Sequence, residues 1–281
     1  MLDLSLGTIF YGLEERLEKS AFWVYENSPD DLGLNCIPYV GHTYQTTAAE
    51  KLQQTIQAHF DSMGERVIIV VVSPEPEKNE KFVLRTSNQD INRLVLGGEM
   101  YITNVGRQII ELNLCIFDPE FSIIDIDGTS VATNVTSIVR HEFKHILQIR
   151  RRAKASRRGM LRVFKAFRKD LAAIPDEENT KYYSTGFFNK RKYDKDYFSS
   201  YLELDAHATQ AAYELYRRLG SMTAKRILRL RDPDFGVFGA FPPPAVSDYL
   251  VARIPRGDAL IKKFKKKVYN NLERLDIGRE L

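Results

Sequence analysis

The pentapeptide His141-Glu142-Phe143-Lys144-His145 has the residue types and the spacing of a hydrolytic metal site. Residues four apart share one face of a helix, so the imidazoles of His141 and His145 can bind the same metal ion. Glu142 lies about 100° further round the helix, where its carboxylate can approach a water molecule on that ion without binding the ion itself. The pattern predicts Zn²⁺, with His141 and His145 as ligands and Glu142 as the general base.

The alternative interpretation is a partly buried helix that contains two ordinary histidines. The chain has 5 histidines in 281 residues, so an accidental H-E-x-x-H has odds of about one in a hundred or less. No Pro or Gly interrupts residues 133–158, and apolar residues around the motif recur at helical spacing. These are Ile138, Val139, Phe143, Ile146 and Leu147. A long helix that carries a metal motif is therefore the preferred interpretation.

A catalytic zinc site needs a third protein ligand. The H-E-x-x-H-x-x-G-x-x-H pattern is excluded, because Gln148 and Arg151 occupy the positions of its Gly and its last His. Glu203 is the preferred third ligand, since it lies on a predicted helix from which a carboxylate projects in a fixed direction. His207 and Asp205 are the alternatives on the same helix.

The two motifs together resemble those of the gluzincin group of zinc metallopeptidases. H-E-x-x-H is followed, one helix later, by E-x-x-A at residues 203–206. The similarity covers residues 45–219 and is greatest to the small microbial and phage-encoded members with a minigluzincin core. It implies a zincin-like α+β fold, cleavage of protein or peptide substrates, and roles for four residues. These are zinc binding by His141, His145 and Glu203, and general-base catalysis by Glu142.

Two further features of that group bear on this chain. Its core has an antiparallel edge strand that pairs with the peptide substrate, and residues 108–117 are the best candidate for such a strand. Several members have an Asp four residues after the ligand Glu, where this chain has His207. A carboxylate that orients a motif histidine is therefore not evident, although Asp205 is available for that role.

Hydrolysis of a peptide bond also needs a donor that stabilises the oxyanion. Tyr201, Tyr197 and Tyr193 are close to Glu203 in the sequence. We name Tyr201 as the candidate catalytic donor, although aromatic residues at such positions are more often part of a hydrophobic core.

Apolar periodicity and turn signals predict an α+β order, in which helices and strands are segregated along the chain. The predicted elements are a helix over 4–26, a helix from a capping box at 47–50 to about Met63, strands over 66–73, 81–85, 100–104 and 108–117, the motif helix, a helix over 196–219 closed by Gly220, and a helical C-terminal region. The last two strands are expected to form a hairpin. The predicted regions are an N-terminal helical extension (1–44), a zincin-like core (45–219) with a basic insertion (150–180), and a helical C-terminal region (220–281).

The composition is that of a soluble globular protein, with 43% hydrophobic and 28% charged residues. The longest apolar run, residues 67–72, is too short to span a bilayer, and the N-terminus lacks the features of a secretory signal. Cys36 and Cys115 form neither a disulfide framework nor a metal-ligand pattern, which favours free thiols in a reducing compartment. We therefore expect a cytoplasmic protein without a membrane partner, or a virion-associated one if it is phage-encoded.

One segment carries most of the positive charge. Residues 150–169 contain ten basic and no acidic residues, whereas the whole chain has a net charge of +4, so the rest of the chain is net acidic. Such a run is usually a solvated helix face. The functional alternative is a surface that binds nucleic acid or an acidic partner. The lysines within residues 262–267 form a second, weaker patch.

Two other functions compete with that of an active peptidase. The first is a virion- or nucleic-acid-associated structural protein that retains a zincin fold and cleaves nothing, although such a protein has no need of Glu142. The second is an enzyme that is held latent by its own aromatic-rich segment, residues 181–201. Metal content and digestion of casein distinguish these alternatives.

Overall fold

The computed structural model of the protein describes six stretches of the chain. They are residues 10–19, 41–72, 94–116, 128–172, 200–229 and 259–277. The chain forms two compact units, which are an N-terminal unit of Ile9–Val139 and a C-terminal unit of Arg140–Leu281 together with Met1–Thr8. Within the described stretches, no helix has both the length and the apolar character that crossing a membrane requires.

Helices dominate the described residues, and one small sheet accompanies them. In chain order the elements are α1 (Leu13–Lys19), α2 (Gly41–Ser62), β1 (Val67–Val72), β2 (Leu94–Ile102), β3 (Gln108–Ile116), α3 (Gly128–Ser156), α4 (Met160–Ala172), α5 (Tyr201–Arg229) and α6 (Ala259–Ile277). This content is consistent with the predicted α+β class. The zincin-like arrangement and the limits of the three predicted regions remain predictions.

The sheet has the strand order β1-β3-β2. β3 pairs in parallel with β1 and antiparallel with β2, which confirms the predicted hairpin. The prediction that residues 108–117 form an edge strand is wrong. Both sides of β3 are already hydrogen-bonded to neighbouring strands, so its backbone has no free edge to which a peptide substrate could pair.

Two glutamine side chains of α2 cover the outer edge of β1. The amide oxygens of Gln57 and Gln53 accept hydrogen bonds from the backbone N–H groups of Ile69 (2.8 Å) and Val71 (2.9 Å). The amide nitrogen of Gln57 donates to the carbonyl of Val67 at 3.0 Å. These amides take the place of a neighbouring strand and protect this edge from pairing with another chain.

The core of the N-terminal unit forms where α2 packs on the sheet. Leu52, Ile56 and Phe60 recur every four positions, so they lie on one face of α2, and all three are fully buried. Ile69 of β1 and Ile110 of β3 are buried as well. The spacing of the apolar residues therefore decides which face of α2 meets the strands.

The predicted end of α2 is correct, and its predicted start is not. The helix ends before Gly64, which has φ +69, and the backbone N–H of Glu65 donates to the carbonyl of Phe60 at 3.0 Å. The helix begins at Gly41, so residues 47–50 lie inside it. Backbone N–H groups there have carbonyl partners one turn earlier, and the predicted capping box is wrong.

The predicted helix over residues 4–26 is not continuous. Residues 10–12 form a turn in which Gly12 has φ +76, and α1 begins only at Leu13. A left-handed residue cannot continue a right-handed helix, so the apolar periodicity runs across a break. The predicted strand over 81–85 lies outside the described residues.

α3 carries the metal motif without interruption, as predicted. Its residues up to Val139 belong to the N-terminal unit and those from Arg140 onward to the C-terminal unit. The helix ends at Ser156, and Arg157 has φ 52 before α4 begins at Met160. The described part of the predicted basic insertion is therefore the end of α3 followed by a second helix.

The core of the C-terminal unit lies between α5 and α6. Ala208, Ala211 and Ala212 of α5 are small, so α6 can approach closely and bury Phe264 and Val268. The buried cluster consists of Leu204, Ala208, Ala211, Ala212, Leu215, Ala224, Leu260, Phe264, Val268 and Leu272.

α5 is broken at Gly220, whose backbone has φ 70 and ψ 161. Essentially only glycine adopts this conformation. The break confirms the predicted helix end after Leu219, and a second helical segment then continues to Arg229.

Replacing Gly220 by Ala should lower the free energy of unfolding by about 1–3 kcal/mol. A methyl group there would meet no atom within 4 Å, so the loss would come from backbone strain alone. Urea denaturation measures the change. Thr223→Ala, at an exposed position of the same segment, is the control and should stay within about 0.5 kcal/mol of the wild type. Equal stability of the two variants would contradict the strain.

Candidate metal centre

α3 and α5 bring His141, His145 and Glu203 together in a buried position. Their nitrogen and oxygen donor atoms all lie within 4.8 Å of one another. The two Nε2 atoms are 3.2 Å apart; that of His141 lies 3.6 Å from Oε2 of Glu203 and that of His145 lies 3.6 Å from Oε1. These three residues could hold a metal ion, and they are the three that the sequence pattern predicts as ligands.

The donor separations suit a small tetrahedral ion. Ligand bonds of about 2.0–2.2 Å to a tetrahedral centre place the ligand atoms about 3.3–3.6 Å apart. The two nitrogens are 3.2 Å apart and each has a different carboxylate oxygen of Glu203 at 3.6 Å, so these pairwise separations are close to that range. Two imidazole nitrogens and one carboxylate fit zinc by ligand type as well, since Ca²⁺ and Mg²⁺ prefer oxygen ligands alone.

The amide of Gln210 determines which nitrogen of His141 carries the proton. Nδ1 of His141 lies 3.1 Å from Oε1 of Gln210, while Nε2 of Gln210 donates to Oε1 of Glu214 at 2.9 Å. Because the amide oxygen is an acceptor, Nδ1 of the histidine must be the donor. Nε2 of His141 then carries a lone pair, as a metal ligand requires.

His145 is held in the same way by Gln148. Its Nδ1 donates to Oε1 of Gln148 at 3.0 Å. Nε2 of Gln148 donates to the carbonyl of Leu202 at 3.2 Å and to Oδ2 of Asp205 at 3.4 Å, which settles the direction of the amide. Both imidazoles therefore direct an Nε2 lone pair at the same point, and each is oriented through an amide whose other end contacts a carboxylate.

The electrostatics of this point favour a positive charge. Burial raises the pKa of Glu203, but the neighbouring imidazoles of His141 and His145 hold it well below its usual value. Burial lowers the pKa of His145, and the carboxylates of Glu203 and Glu142 outweigh that effect and raise it. Lone pairs that converge in a buried space repel one another unless a proton or a metal ion lies between them.

Asp205, an alternative third ligand, forms ion pairs with two lysines instead. Its Oδ2 lies 3.0 Å from Nζ of Lys144, which is buried, and its Oδ1 lies 2.7 Å from Nζ of Lys267 on α6. Burial raises the pKa of Asp205, but the two ammonium groups hold it below its usual value. Burial lowers the pKa of Lys144, against the attraction of Asp205. Asp205 serves the site only indirectly, through Gln148.

His207, the other alternative ligand, lies one helical turn after Glu203. Its Nε2 is 3.9 Å from Oε2 of Glu203, and its ring centre is 4.6 Å from that of His141. Burial and the neighbouring imidazole of His141 hold the pKa of His207 well below its usual value, so the ring is neutral. His207 therefore borders the cluster, while Glu203 supplies the carboxylate that completes it.

The two predicted catalytic residues differ in their positions. Glu142 is buried, and its charge acts on His145. Tyr201 is 56% exposed, with Nζ of Lys267 lying 4.6 Å from the centre of its ring. Tyr201 is two residues before Glu203, on another face of the helix. Its exposed position does not support the role of oxyanion donor, which stays a prediction, and Tyr193 and Tyr197 lie outside the described residues.

α4 covers one side of the cluster. The ring of Phe167 lies 5.6 Å from that of His145, tilted by 39°. Phe167 is buried together with Val163 and Phe164 of the same helix. An apolar ring at this position limits the access of water to the imidazole.

The roles of Gln148, Gln210 and Glu214 at this site were not predicted. A signal for them exists in α5, where Glu203, His207, Gln210 and Glu214 follow the helical spacing of one face. A polar stripe on a helix that is otherwise rich in Ala and Leu indicates a buried polar network. No family model matches the chain, and comparisons with curated proteins and with solved structures found no similar protein.

Replacing Gln210 by Met should weaken zinc binding by about 10–100-fold, because the imidazole of His141 loses the acceptor that orients it. Competition with a fluorescent zinc chelator measures the affinity. The control exchanges the two partners, combining Gln210→Glu with Glu214→Gln. The exchanged pair keeps an acceptor for Nδ1 of His141 and a donor between the two side chains, so its affinity should not fall below that of the wild type. Unchanged affinity in the Met variant would contradict the proposed orientation.

Replacing Glu203 by Ala should weaken zinc binding by more than about 100-fold. Loss of a residue that only orients a metal ligand typically costs about 10–100-fold, and loss of a ligand should cost more. Mass spectrometry of the native protein gives the zinc content, and Glu273→Ala, at an exposed position on α6, is the control. His207 could replace Glu203 in part, so the combination of Glu203→Ala with His207→Ala should lower the affinity further. Full zinc content in the Glu203 variant would exclude Glu203 as a ligand.

Proposed function

We propose that the protein is a zinc-dependent metallopeptidase with a zincin-like core, which hydrolyses protein or peptide substrates. The observation that carries the proposal is the buried cluster of His141, His145 and Glu203, with Glu142 buried next to the first ligand. In a hydrolytic metal site a carboxylate that does not bind the metal serves as the general base, and Glu142 is the candidate for that role here. The resemblance of both sequence motifs to gluzincins supports the same assignment.

In this mechanism His141, His145 and Glu203 would hold a zinc ion, which when bound would lower the pKa of a water molecule and polarise the scissile carbonyl. Glu142 accepts the proton from the attacking water at its carboxylate and later donates it to the nitrogen of the leaving amine as the C–N bond breaks. Gln210 and Gln148 hold the two imidazoles in the tautomer that leaves Nε2 without a proton. Phe167 limits the access of bulk water to His145.

Glu142→Gln should retain zinc and lose at least about 10²–10⁴-fold in peptide hydrolysis, because an amide cannot accept the proton of the water. Casein digestion measures the rate, and mass spectrometry measures the zinc in the same preparation. Glu273→Gln makes the same chemical change at an exposed position and should leave both quantities unchanged. Hydrolysis by zinc-loaded Glu142→Gln at the wild-type rate would refute the mechanism.

The competing assignment is a virion- or nucleic-acid-associated structural protein without proteolytic function. It predicts that the wild-type protein binds zinc and cleaves neither casein nor itself. It assigns Glu142 no catalytic role, whereas the peptidase assignment uses the carboxylate of Glu142, which is buried and adjacent to His141. The latent form of the enzyme depends on residues 181–201, most of which lie outside the described residues.

A further inference from the structure

The basic segment forms an exposed helical surface on the C-terminal unit. Residues 150–156 are the end of α3, and α4 follows after a short turn. Nine basic side chains within residues 151–169 are exposed, and we call them the basic surface. They are Arg151, Arg152, Lys154, Arg157, Arg158, Arg162, Lys165, Arg168 and Lys169.

Most residues of the basic surface have no ion-pair partner among the described residues. Seven of the nine residues take part in no ion pair within the described part of the chain. They are Arg152, Lys154, Arg157, Arg158, Arg162, Lys165 and Lys169. A helix face of ordinary solvated charge would mix both signs, whereas residues 150–169 include no acidic residue. The repulsion between these charges is relieved if a polyanion binds.

The buried face of α4 fixes the direction of the basic residues that this helix contributes to the surface. Val163, Phe164 and Phe167 are buried, so the helix cannot rotate without exposing them. Arg162 and Lys165 are exposed on the opposite side. The charges are therefore held by a packed helix.

The chemistry of the basic surface fits phosphates better than an acidic protein. A protein interface needs an apolar centre with charges at its rim. The exposed large hydrophobic residues of the described chain are Tyr11, Val105, Tyr201 and Met222, none of them in this segment. The same absence removes the aromatic platforms on which single-stranded bases stack. A dense set of charges without apolar contacts is suited to the backbone of a duplex.

We propose that the basic surface binds duplex nucleic acid through its phosphates, without reading the base sequence. α4 has 13 residues, which gives a length of about 20 Å. A duplex carries one phosphate for about every 1.7 Å of its axis, so this length offers about 12 phosphates, more than the four basic residues that α4 contributes. Binding is independent of the peptidase reaction.

The test is fluorescence anisotropy of a labelled DNA duplex over a series of salt concentrations. Neutralising at least about four phosphates should make the affinity fall on the order of a hundredfold between about 50 and about 200 mM salt. Two duplexes of unrelated sequence should bind equally. Absence of binding at low salt, or an affinity that does not depend on salt, would overturn the proposal.

Two matched triple variants locate the surface. Replacing Lys154, Lys165 and Lys169 by Ala should raise Kd at low salt by about tenfold and reduce the salt slope by about 0.9 for each phosphate that the variant no longer neutralises. Replacing Lys262, Lys263 and Lys266 by Ala removes the same charge from exposed positions of α6 and should change Kd by less than about threefold. Ala favours helix in both variants, and circular dichroism checks that both are folded.

Three outcomes would contradict the assignment. Equal weakening by both triple variants would mean that net charge, and not the basic surface, attracts DNA. Tighter binding of poly-glutamate than of duplex DNA would assign the surface to an acidic protein partner. Unchanged DNA binding in the first triple variant would also exclude the surface. Glu142→Gln should bind DNA as the wild type does, so this proposal and the peptidase proposal can fail separately.

Discussion

One electrostatic constraint dominates the candidate site in the C-terminal unit. Three side chains meet in a buried space, and each presents an atom that carries a lone pair and no proton. His141, His145 and Glu203 present lone pairs to a common point, and such a group is unfavourable unless a cation lies among its members. The packing of α3 against α5 at this position and the binding of a positive charge are therefore a single equilibrium. Whatever stabilises one also stabilises the other.

Two amides orient the imidazoles of the cluster. The Nδ1 atoms of His141 and His145 each contact a glutamine oxygen and not a carboxylate. A carboxylate in that position would make the imidazole a stronger donor, whereas a neutral amide fixes its direction alone. The charge of Asp205 is balanced by Lys144 and Lys267. Removing one partner of the buried pair of Lys144 and Asp205 would leave the other charge uncompensated. That is more destabilising than replacing both residues by apolar ones. The close packing of α5 on α6 stabilises the helix that carries these charges.

The grouping of His141, His145 and Glu203 could be predicted, because two of them share one face of a helix and the third lies on another predicted helix. The helix ends before Gly64 and Gly220 could be predicted as well, because glycine adopts the positive φ found at both positions. The pairing of β3 could not be predicted, because strand order is set by residues distant in the sequence. The amides of Gln148 and Gln210 could not be predicted for a similar reason, since their partners belong in part to a different helix. The predicted start of α2 is wrong because residues 47–50 have capping chemistry inside a helix that begins earlier.

α6 is connected to the cluster of His141, His145 and Glu203 although it carries none of these residues. Lys267 contacts Asp205, Asp205 accepts a hydrogen bond from Gln148, and Gln148 orients His145. α6 follows all of these residues in the chain, so the ribosome releases it after them. During synthesis the three clustered residues are therefore made before the helix that supports them. The complete site can form only late in synthesis.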